Sequence, residues 1–442
     1  MAKKDKKDSD EKKEPEKKVI KPTQEELDAI IKKHESYTAG RMGGVRANLA
    51  YYDLSKLSFA KKNMSDADFT GAYLSETDFS GAKLDRAILF CADMRNANLR
   101  GASLVRADVR GASLRGANLI GANMAGIDLR EGSLANADSE GGLKQAHENL
   151  TITDKGGANL SGANLSEAKM SGAVATESNF SDATMKSTKI TKSNLKGANF
   201  SGANLENADL SNCEMEDANL RGAVLVGTSI NLSEIAKENL VGSLTSAPMG
   251  PTIKDLPMPL DQLLKLHQLW VDSNGQKGKQ LDISGFDLRQ GVNFSRMALT
   301  MMRGVGAVLY GLNFSEAHLQ TADLHEADVR HANFQLADMR GSNFAKAKFH
   351  NANLQKAQLQ PLQLLQGRKL TTNMSDCIFR YADFAGANLR QVNFKNSDLT
   401  YANFTGADIT DTNFEGANLE GARIDEVHTE LVKRTLNSEK KD

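Results

Sequence analysis

The sequence is poor in cysteine and proline and has no long apolar run. Its 442 residues include 3 cysteines and 7 prolines. An odd number of widely spaced cysteines excludes a disulfide framework and is typical of a reducing compartment. No apolar stretch approaches the roughly 18 residues that a membrane-spanning helix needs, and no apolar signal core follows the lysine-rich N-terminus. We therefore expect a cytoplasmic protein with no membrane span.

An excess of charge of either sign is also missing. Lys and Arg number 55 against 56 Asp and Glu, so the formal net charge is -1. Such a chain has no overall field that would attract nucleic acid, which disfavours nucleic acid as a partner. The sequence also lacks a P-loop, a strand-associated GxGxxG and the HExxH, paired CxxC and GxSxG motifs. We therefore expect no enzyme activity, no catalytic residues, no cofactor and no metal site.

A five-residue repeat runs through most of the chain. Apolar residues fall at every fifth position in three runs, 49–134, 160–240 and 294–424. The weak members of these runs are Ala175, Gly304 and Lys369. The spacing slips by one residue between the first two runs, which predicts an insertion at 139–157.

Each repeat has a characteristic composition. The residue two positions before the large apolar one is usually Ala, and the residue between them is often Asn or Asp, as in Ala97-Asn98-Leu99. A period of five matches neither a helix, with about 3.6 residues per turn, nor a strand, with about two. The chain must therefore turn every five residues, and four such edges close a square coil. Stacking of these coils predicts a period of twenty.

These units resemble those of the pentapeptide-repeat family. The resemblance implies a right-handed quadrilateral β-helix, an all-β solenoid. Some members of that family protect DNA gyrase from quinolones, look like duplex DNA in shape and negative charge, and bind the topoisomerase as competitors. The resemblance thus adds one possible function, gyrase binding, that the residues alone do not indicate.

A second pattern occurs twice outside the repeat. An amphipathic helical segment is followed by a histidine, an aromatic residue and a glycine-bearing loop, and the two copies are offset by 233–234 residues. The matching residues are His34, Tyr37 and Gly44 in the first copy and His267, Trp270 and Gly278 in the second. We interpret each copy as a cap over an open β-helix end; the alternative is a ligand pocket. A degenerate third copy at 143–147 is possible.

The sequence therefore predicts two or three β-helix segments, each preceded by a short capping helix. The expected parts are a charged, disordered tail (1–21), a helix and glycine-loop cap (22–44), a β-helix segment (45–138), an insertion (139–157), a β-helix segment (158–240), a proline-rich linker (241–259), a second helix and glycine-loop cap (260–280), a β-helix (281–424) and a C-terminal helix and tail (425–442).

Arginines are densest in the first run. Several are spaced by twenty, so they are expected to stack on the surface. The candidate interaction residues are Arg86, Arg95, Arg100, Arg106, Arg110, Arg115 and Arg130. The favoured hypothesis is a non-catalytic scaffold that binds an unidentified protein partner through its outward faces. The alternatives are a DNA-mimic-like gyrase-binding protein and a ligand-binding protein that uses the histidine-aromatic units. The oligomeric state stays open.

Overall fold

The computed structural model describes residues 19–132, 157–289 and 292–425, together with the backbone of two short strands, β1 (Ala135–Ala137) and β2 (Leu143–Gln145). These residues include two α-helices, α1 (Gln24–Thr38) and α2 (Leu260–Asp272). No helix among them is long and apolar enough to cross a membrane. Most of the predicted tail and insertion, and the predicted C-terminal helix, lie outside the described residues.

Most of the chain winds in square coils. Parallel bridges join residues twenty apart, beginning with Asn48 and Asp68. Within each edge, the N–H of the large inward residue donates to the next coil, as from Leu49 to the Asp68 carbonyl at 2.7 Å. A turn bond then closes each corner, as from the Tyr52 N–H to the Leu49 carbonyl at 3.3 Å. The predicted quadrilateral β-helix and its period of twenty are confirmed.

The corner residue of each edge adopts a left-handed conformation. Its φ is +63° at Tyr51, +57° at Arg86 and +65° at Gly101. Glycine is frequent at this position because it has no Cβ to clash there. Non-glycine residues also adopt this conformation, which costs roughly 1–2 kcal/mol each. The hydrogen-bond ladder between coils therefore overrides local preference.

The interior of the coils is filled by the repeating apolar residues. Leu99, Leu104 and Leu114 have no exposed surface. Phenylalanines spaced by twenty stack face to face, as in Phe314 and Phe334, whose ring centroids are 4.9 Å apart. The small residue two positions earlier, usually Ala, leaves room for this stack.

The chain forms two compact units. The first comprises Met1–Phe200, Leu205–Asn219 and Thr228–Asn239, and the second comprises Ser201–Asn204, Leu220–Gly227 and Leu240–Asp442.

The first unit is one continuous stack rather than two segments. Ser113 bridges Asn159, and the Leu114 N–H donates to the Asn159 carbonyl at 2.7 Å, so the ladder crosses the insertion. The predicted boundary at 138 is wrong, because β1 pairs with β2 in an antiparallel hairpin instead of joining the coil. The third helical copy at 143–147 is also wrong, since its first three residues form β2. Two 3₁₀ turns, Leu232–Glu234 and Lys237–Leu240, follow in the chain.

In the second unit, the predicted linker 241–259 takes part in the coils. Leu244 is buried, and its N–H donates to the Ala223 carbonyl at 2.8 Å. Pro251 lacks an N–H, but its carbonyl accepts the Asp287 N–H at 2.7 Å. A proline therefore removes only the donor half of a ladder position. A 3₁₀ turn at Ile253–Asp255 precedes α2.

The last run contains a ten-residue hairpin that the sequence analysis missed. Bridges span thirty residues here, from Asn343 to Asn373, instead of twenty. The extra residues form β3 (Leu362–Gln363) and β4 (Lys369–Leu370), which pair antiparallel across a 3₁₀ turn at Leu365–Gly367. Ten residues are two repeats, so the phase of the pattern continues although Leu364 and Lys369 are exposed.

The length of the hairpin predicts which deletions the β-helix tolerates. Removal of 361–370 together with Thr371→Gly should restore a twenty-residue coil and leave a glycine at the corner. We expect the far-UV circular dichroism spectrum to be unchanged and the thermal midpoint to shift by a few degrees at most. Removal of 360–371 leaves the coil two residues short, so it should lower the midpoint sharply. Equal stability of the two deletions would contradict the register argument.

Candidate functional site

Helix α1 begins with a capping box. The Glu26 N–H donates to Thr23 Oγ1 at 3.3 Å, and the Thr23 N–H donates back to Glu26 Oε2 at 2.8 Å. Leu27 and Ile31 are buried one turn apart, on the face that carries His34. The amphipathic period of α1 therefore directs the His34 side chain towards the β-helix.

His34 joins α1 to the first two coils. Its Nδ1 accepts the Ala47 N–H at 2.9 Å, and its Nε2 lies 3.0 Å from the Ser65 carbonyl. Since Nδ1 accepts, Nε2 must carry the proton that it donates. The ring is fully buried and stacks on Tyr37 with centroids 5.8 Å apart. Burial lowers the pKa of His34 even though the Ser65 carbonyl favours the charged form.

The second copy repeats this arrangement. His267 on α2 is fully buried, and its Nδ1 accepts the Leu281 N–H at 3.1 Å. Its ring stacks on Trp270 with centroids 5.8 Å apart. Burial lowers the pKa of His267, partly offset by the Thr300 backbone. The structure therefore brings together each histidine with its aromatic partner.

The two glycines fit where the loop crosses its own helix. A Cβ on Gly44 would lie 2.5 Å from the Tyr37 Cα, and a Cβ on Gly278 would lie 2.7 Å from the backbone nitrogen of Trp270. Gly278 also has a φ of +79°. Both ring nitrogens of His34 are engaged and the ring has no exposed surface. This geometry favours a capping role over a ligand pocket for the first copy, whereas in the second copy His267 Nε2 is buried without a hydrogen-bond partner among the described residues.

The seven candidate arginines surround the first β-helix instead of forming one stripe. Arg110 and Arg130 stack on one face, Arg95 and Arg115 belong to the next, and Arg100 lies on a third. Arg86 and Arg106 follow each other along a corner, where Arg86 forms a two-bond pair with Asp66 at 2.7–2.8 Å.

Three of these arginines, Arg95, Arg110 and Arg130, are held by a neighbour that the sequence analysis did not consider. An Asp two residues earlier holds the guanidinium through two bonds, from Nε to Oδ1 and from Nη2 to Oδ2, at 2.6–3.0 Å. Residues on either side of an inward residue both point outward, so Asp and Arg meet. We name this arrangement an arginine fork, and the six forks among the residues that the structure describes are Asp93/Arg95, Asp108/Arg110, Asp128/Arg130, Asp287/Arg289, Asp328/Arg330 and Asp338/Arg340.

Two forks in the second unit are buried and reach main-chain carbonyls. Arg289 donates from Nη1 to the Thr245 carbonyl at 3.0 Å and from Nη2 to the Ala247 carbonyl at 3.1 Å. Arg330 donates from Nη1 to the Gly222 carbonyl and is only 1% exposed. With one edge of the guanidinium held by Asp, the other edge binds the backbone of a separate segment.

The three forks in the first unit are open to solvent, and the Arg95 side chain is 43% exposed. The side chains of Arg110 and Arg130 are 38% and 52% exposed. They line a shallow cleft of about 280 Å³ together with Glu131, Thr176 and Glu177. Burial alone would raise the pKa of Asp128, but hydrogen bonds from Arg130 and the charge of Arg110 outweigh it and lower that pKa. The carboxylate therefore stays charged and keeps the fork formed at neutral pH.

Metal binding finds no support in the part of the chain that the structure describes. No group of three or more His, Cys, Asp and Glu side chains is placed to hold an ion there.

We predict that the glycines of the two caps cannot be replaced by alanine. Gly44→Ala and Gly278→Ala should each destabilise the protein by several kcal/mol, because the new Cβ meets backbone that cannot move aside. Gly40→Ala is the control, since Gly40 has a φ of +65° in the same loop but nothing within 4 Å of the added Cβ. It should cost only about 1–2 kcal/mol. If Gly40→Ala and Gly44→Ala lost the same free energy of unfolding, measured by urea denaturation, this packing argument would be contradicted.

We also predict that acid weakens both caps. The pKa values of His34 and His267 lie below 6.5 in the folded state, so the unfolded chain binds more protons below pH 6.5. The free energy of unfolding should therefore fall as pH decreases from about 6.5, by up to about 1.4 kcal/mol per pH unit for each histidine. The double variant His34→Gln/His267→Gln should lose this part of the slope. A slope unchanged by the substitutions would exclude these histidines as its source.

The similarity of this chain to known proteins lies in its repeat regions. The family model for pentapeptide repeats matches residues 47–131, 158–233, 305–360 and 372–425, which together exceed half of the chain. A search of curated proteins finds no match.

Three solved structures illustrate the likeness. HetL, a pentapeptide repeat protein involved in heterocyst differentiation regulation in Nostoc sp. strain PCC 7120, is 16% identical over 91% of this chain and 98% of its own, with a TM-score of 0.20. QnrB1, a plasmid-mediated fluoroquinolone resistance protein, is 15% identical over 45% of this chain and 90% of its own, with a TM-score of 0.30. Rfr23 from Cyanothece 51142 is 33% identical over 29% of this chain and 86% of its own, with a TM-score of 0.11. By the extent of the repeat match, the chain belongs to the pentapeptide-repeat family.

Proposed function

We propose that this protein is a non-catalytic scaffold that binds a polypeptide partner through its exposed arginine forks, chiefly Asp108/Arg110 and Asp128/Arg130. The observation that carries the proposal lies within the chain itself. The buried forks of Arg289 and Arg330 use their second guanidinium edge to bind main-chain carbonyls. The exposed forks have the same Asp contact and the same outward edge.

The forks are suited to binding because they are already ordered. Each guanidinium is fixed by two bonds to its own Asp, so little side-chain freedom is left to lose when a partner arrives. Arg110 is held further by the Phe90 ring, whose centroid lies 5.2 Å from its Cζ. The β-helix beneath adds a rigid backbone. These features support a site whose donors are in place before the partner binds.

The charge of the forks indicates the class of partner. Each Arg is balanced by an Asp, so the pair is nearly neutral and exerts no strong field on nucleic acid. Two stacked forks, whose bridge positions Asp108 and Asp128 pair in successive coils, instead offer directional donors. Carbonyl or carboxylate oxygens of an extended peptide match such donors. The partner that fits is a polypeptide segment.

The two alternative functions have less support. A DNA mimic requires a surplus of acidic surface, whereas the net charge here is -1 and the candidate face carries arginine. A ligand pocket at the histidine-aromatic units requires an accessible ring, whereas His34 and His267 are fully buried. Neither alternative has an observation that specifically favours it.

The test is affinity capture from the native host with matched variants. Arg110→Ala/Arg130→Ala should reduce the retained partner by about tenfold or more, since central arginines often dominate binding energy. Arg86→Ala/Arg106→Ala is the control, because these arginines lie on a corner and form no fork of this kind. All variants should keep the thermal midpoint within a few degrees. Equal retention by the two double variants would overturn the proposal.

A further inference from the structure

The hairpin of β3 and β4 is a rigid projection on the second β-helix. Leu362 and Leu370 lie within 3.3 Å of the position that a Cβ on Gly341 would occupy, so the hairpin rests on the glycine. The Thr372 hydroxyl donates to the Leu359 carbonyl at 2.6 Å and accepts the Gly341 N–H at 2.9 Å. These contacts fix the base of the hairpin to two coils.

The tip of the hairpin presents apolar side chains to solvent. Leu365 is 86% exposed, the highest value of any leucine among the described residues, and Leu364 is 41% exposed. The Leu364 N–H donates to the Arg368 carbonyl at 2.8 Å, and left-handed Gln366 and Gly367 close the turn. The leucines are thus held outward by the backbone in a defined conformation. Folding does not bury them.

The stretch of sequence that contains the hairpin carries positive charge only. Residues 339–375 contain no Asp or Glu, and this is the longest such stretch in the chain. Arg368 and Lys369 are exposed beside the leucines and form no ion pair with any described residue. In contrast, Arg340 and Lys346 in the same stretch pair with Asp338 and Glu326. The two cations of the hairpin are therefore available to an anionic surface.

We propose that this hairpin inserts into an anionic lipid surface. Leu364 and Leu365 enter the boundary between headgroups and acyl chains, while Arg368 and Lys369 contact lipid phosphates or carboxylates. A convex apolar tip with cations at its base is suited to the interface of an anionic leaflet. The long stems of Arg and Lys let their charges remain among the headgroups. A protein partner would instead have to supply a concave apolar pocket with an acidic rim.

The experiment is cosedimentation of the full chain with lipid vesicles. We expect binding to vesicles of phosphatidylcholine with about 30% phosphatidylserine, little binding to pure phosphatidylcholine, and weaker binding as salt rises. Leu365→Asp should reduce binding about tenfold or more, since it places a charge at the inserted tip. The 361–370 deletion with Thr371→Gly should abolish binding, and both variants should keep the thermal midpoint.

A matched charge reversal separates a local site from general attraction. Arg368→Glu/Lys369→Glu and Lys189→Glu/Lys192→Glu change the net charge equally, but the second pair lies in an acid-free stretch without an exposed apolar tip. Only Arg368→Glu/Lys369→Glu should lose binding to the vesicles. Absence of binding by the unmodified chain overturns the proposal and directs attention to a protein partner. Equal loss in both double variants, or no loss in Leu365→Asp, also overturns it. Arg110 and Arg130 are intact throughout, so the result is independent of the function proposed above.

Discussion

The ladder of backbone hydrogen bonds between successive coils is the constraint on which the rest of the structure depends. Each edge has only one residue in a bridge, so no edge could stand alone as a strand. Because every coil must repeat at the same positions, an inward residue meets its counterpart in the next coil, which is twenty residues on wherever the coil has no insertion. Phenylalanine then stacks on phenylalanine, as in the parallel pair Phe384 and Phe404. The same rule places outward side chains in columns, where Asn403 donates to Asp383 at 2.9 Å.

The ladder also decides where the chain can depart from regularity. Two interruptions, after Arg130 and Gln360, begin at or beside a corner, where the edge has already made its bonds to the neighbouring coils. Their lengths are unrelated, yet pairing resumes on both sides of each. A corner insertion adds loop entropy, whereas an insertion within an edge would move apolar residues outward. New surface features of this fold are therefore expected at corners, as with the hairpin that carries Leu365.

The sequence was sufficient to predict the coil but not its exceptions. Leu99 and Leu104 could be assigned to the core because a period of five has few physical solutions. Leu364 keeps that period and is nevertheless exposed, since a ten-residue hairpin preserves phase. The available signal was Pro361, whose ring cannot adopt the left-handed corner or donate to the ladder. The caps were recognisable because their helices follow an ordinary amphipathic period, while the close approach of Gly44 to Tyr37 required coordinates.

Electrostatics in this chain is local, which explains why whole-chain charge is a poor guide to the chemistry of its surface. Arginines were grouped by their spacing of twenty, but the dominant partner of Arg110 and Arg130 is the Asp two residues earlier. That pairing cancels charge and at the same time orients donors. Where the Asp is absent, as at Arg368 and Lys369, the cation forms no ion pair with a described residue. A repeat that often has Asp at the bridge position thus forms a fork wherever an arginine follows two residues later, whereas arginines without that Asp pair across coils, as Arg86 does with Asp66, or form no ion pair with a described residue, as at Arg368.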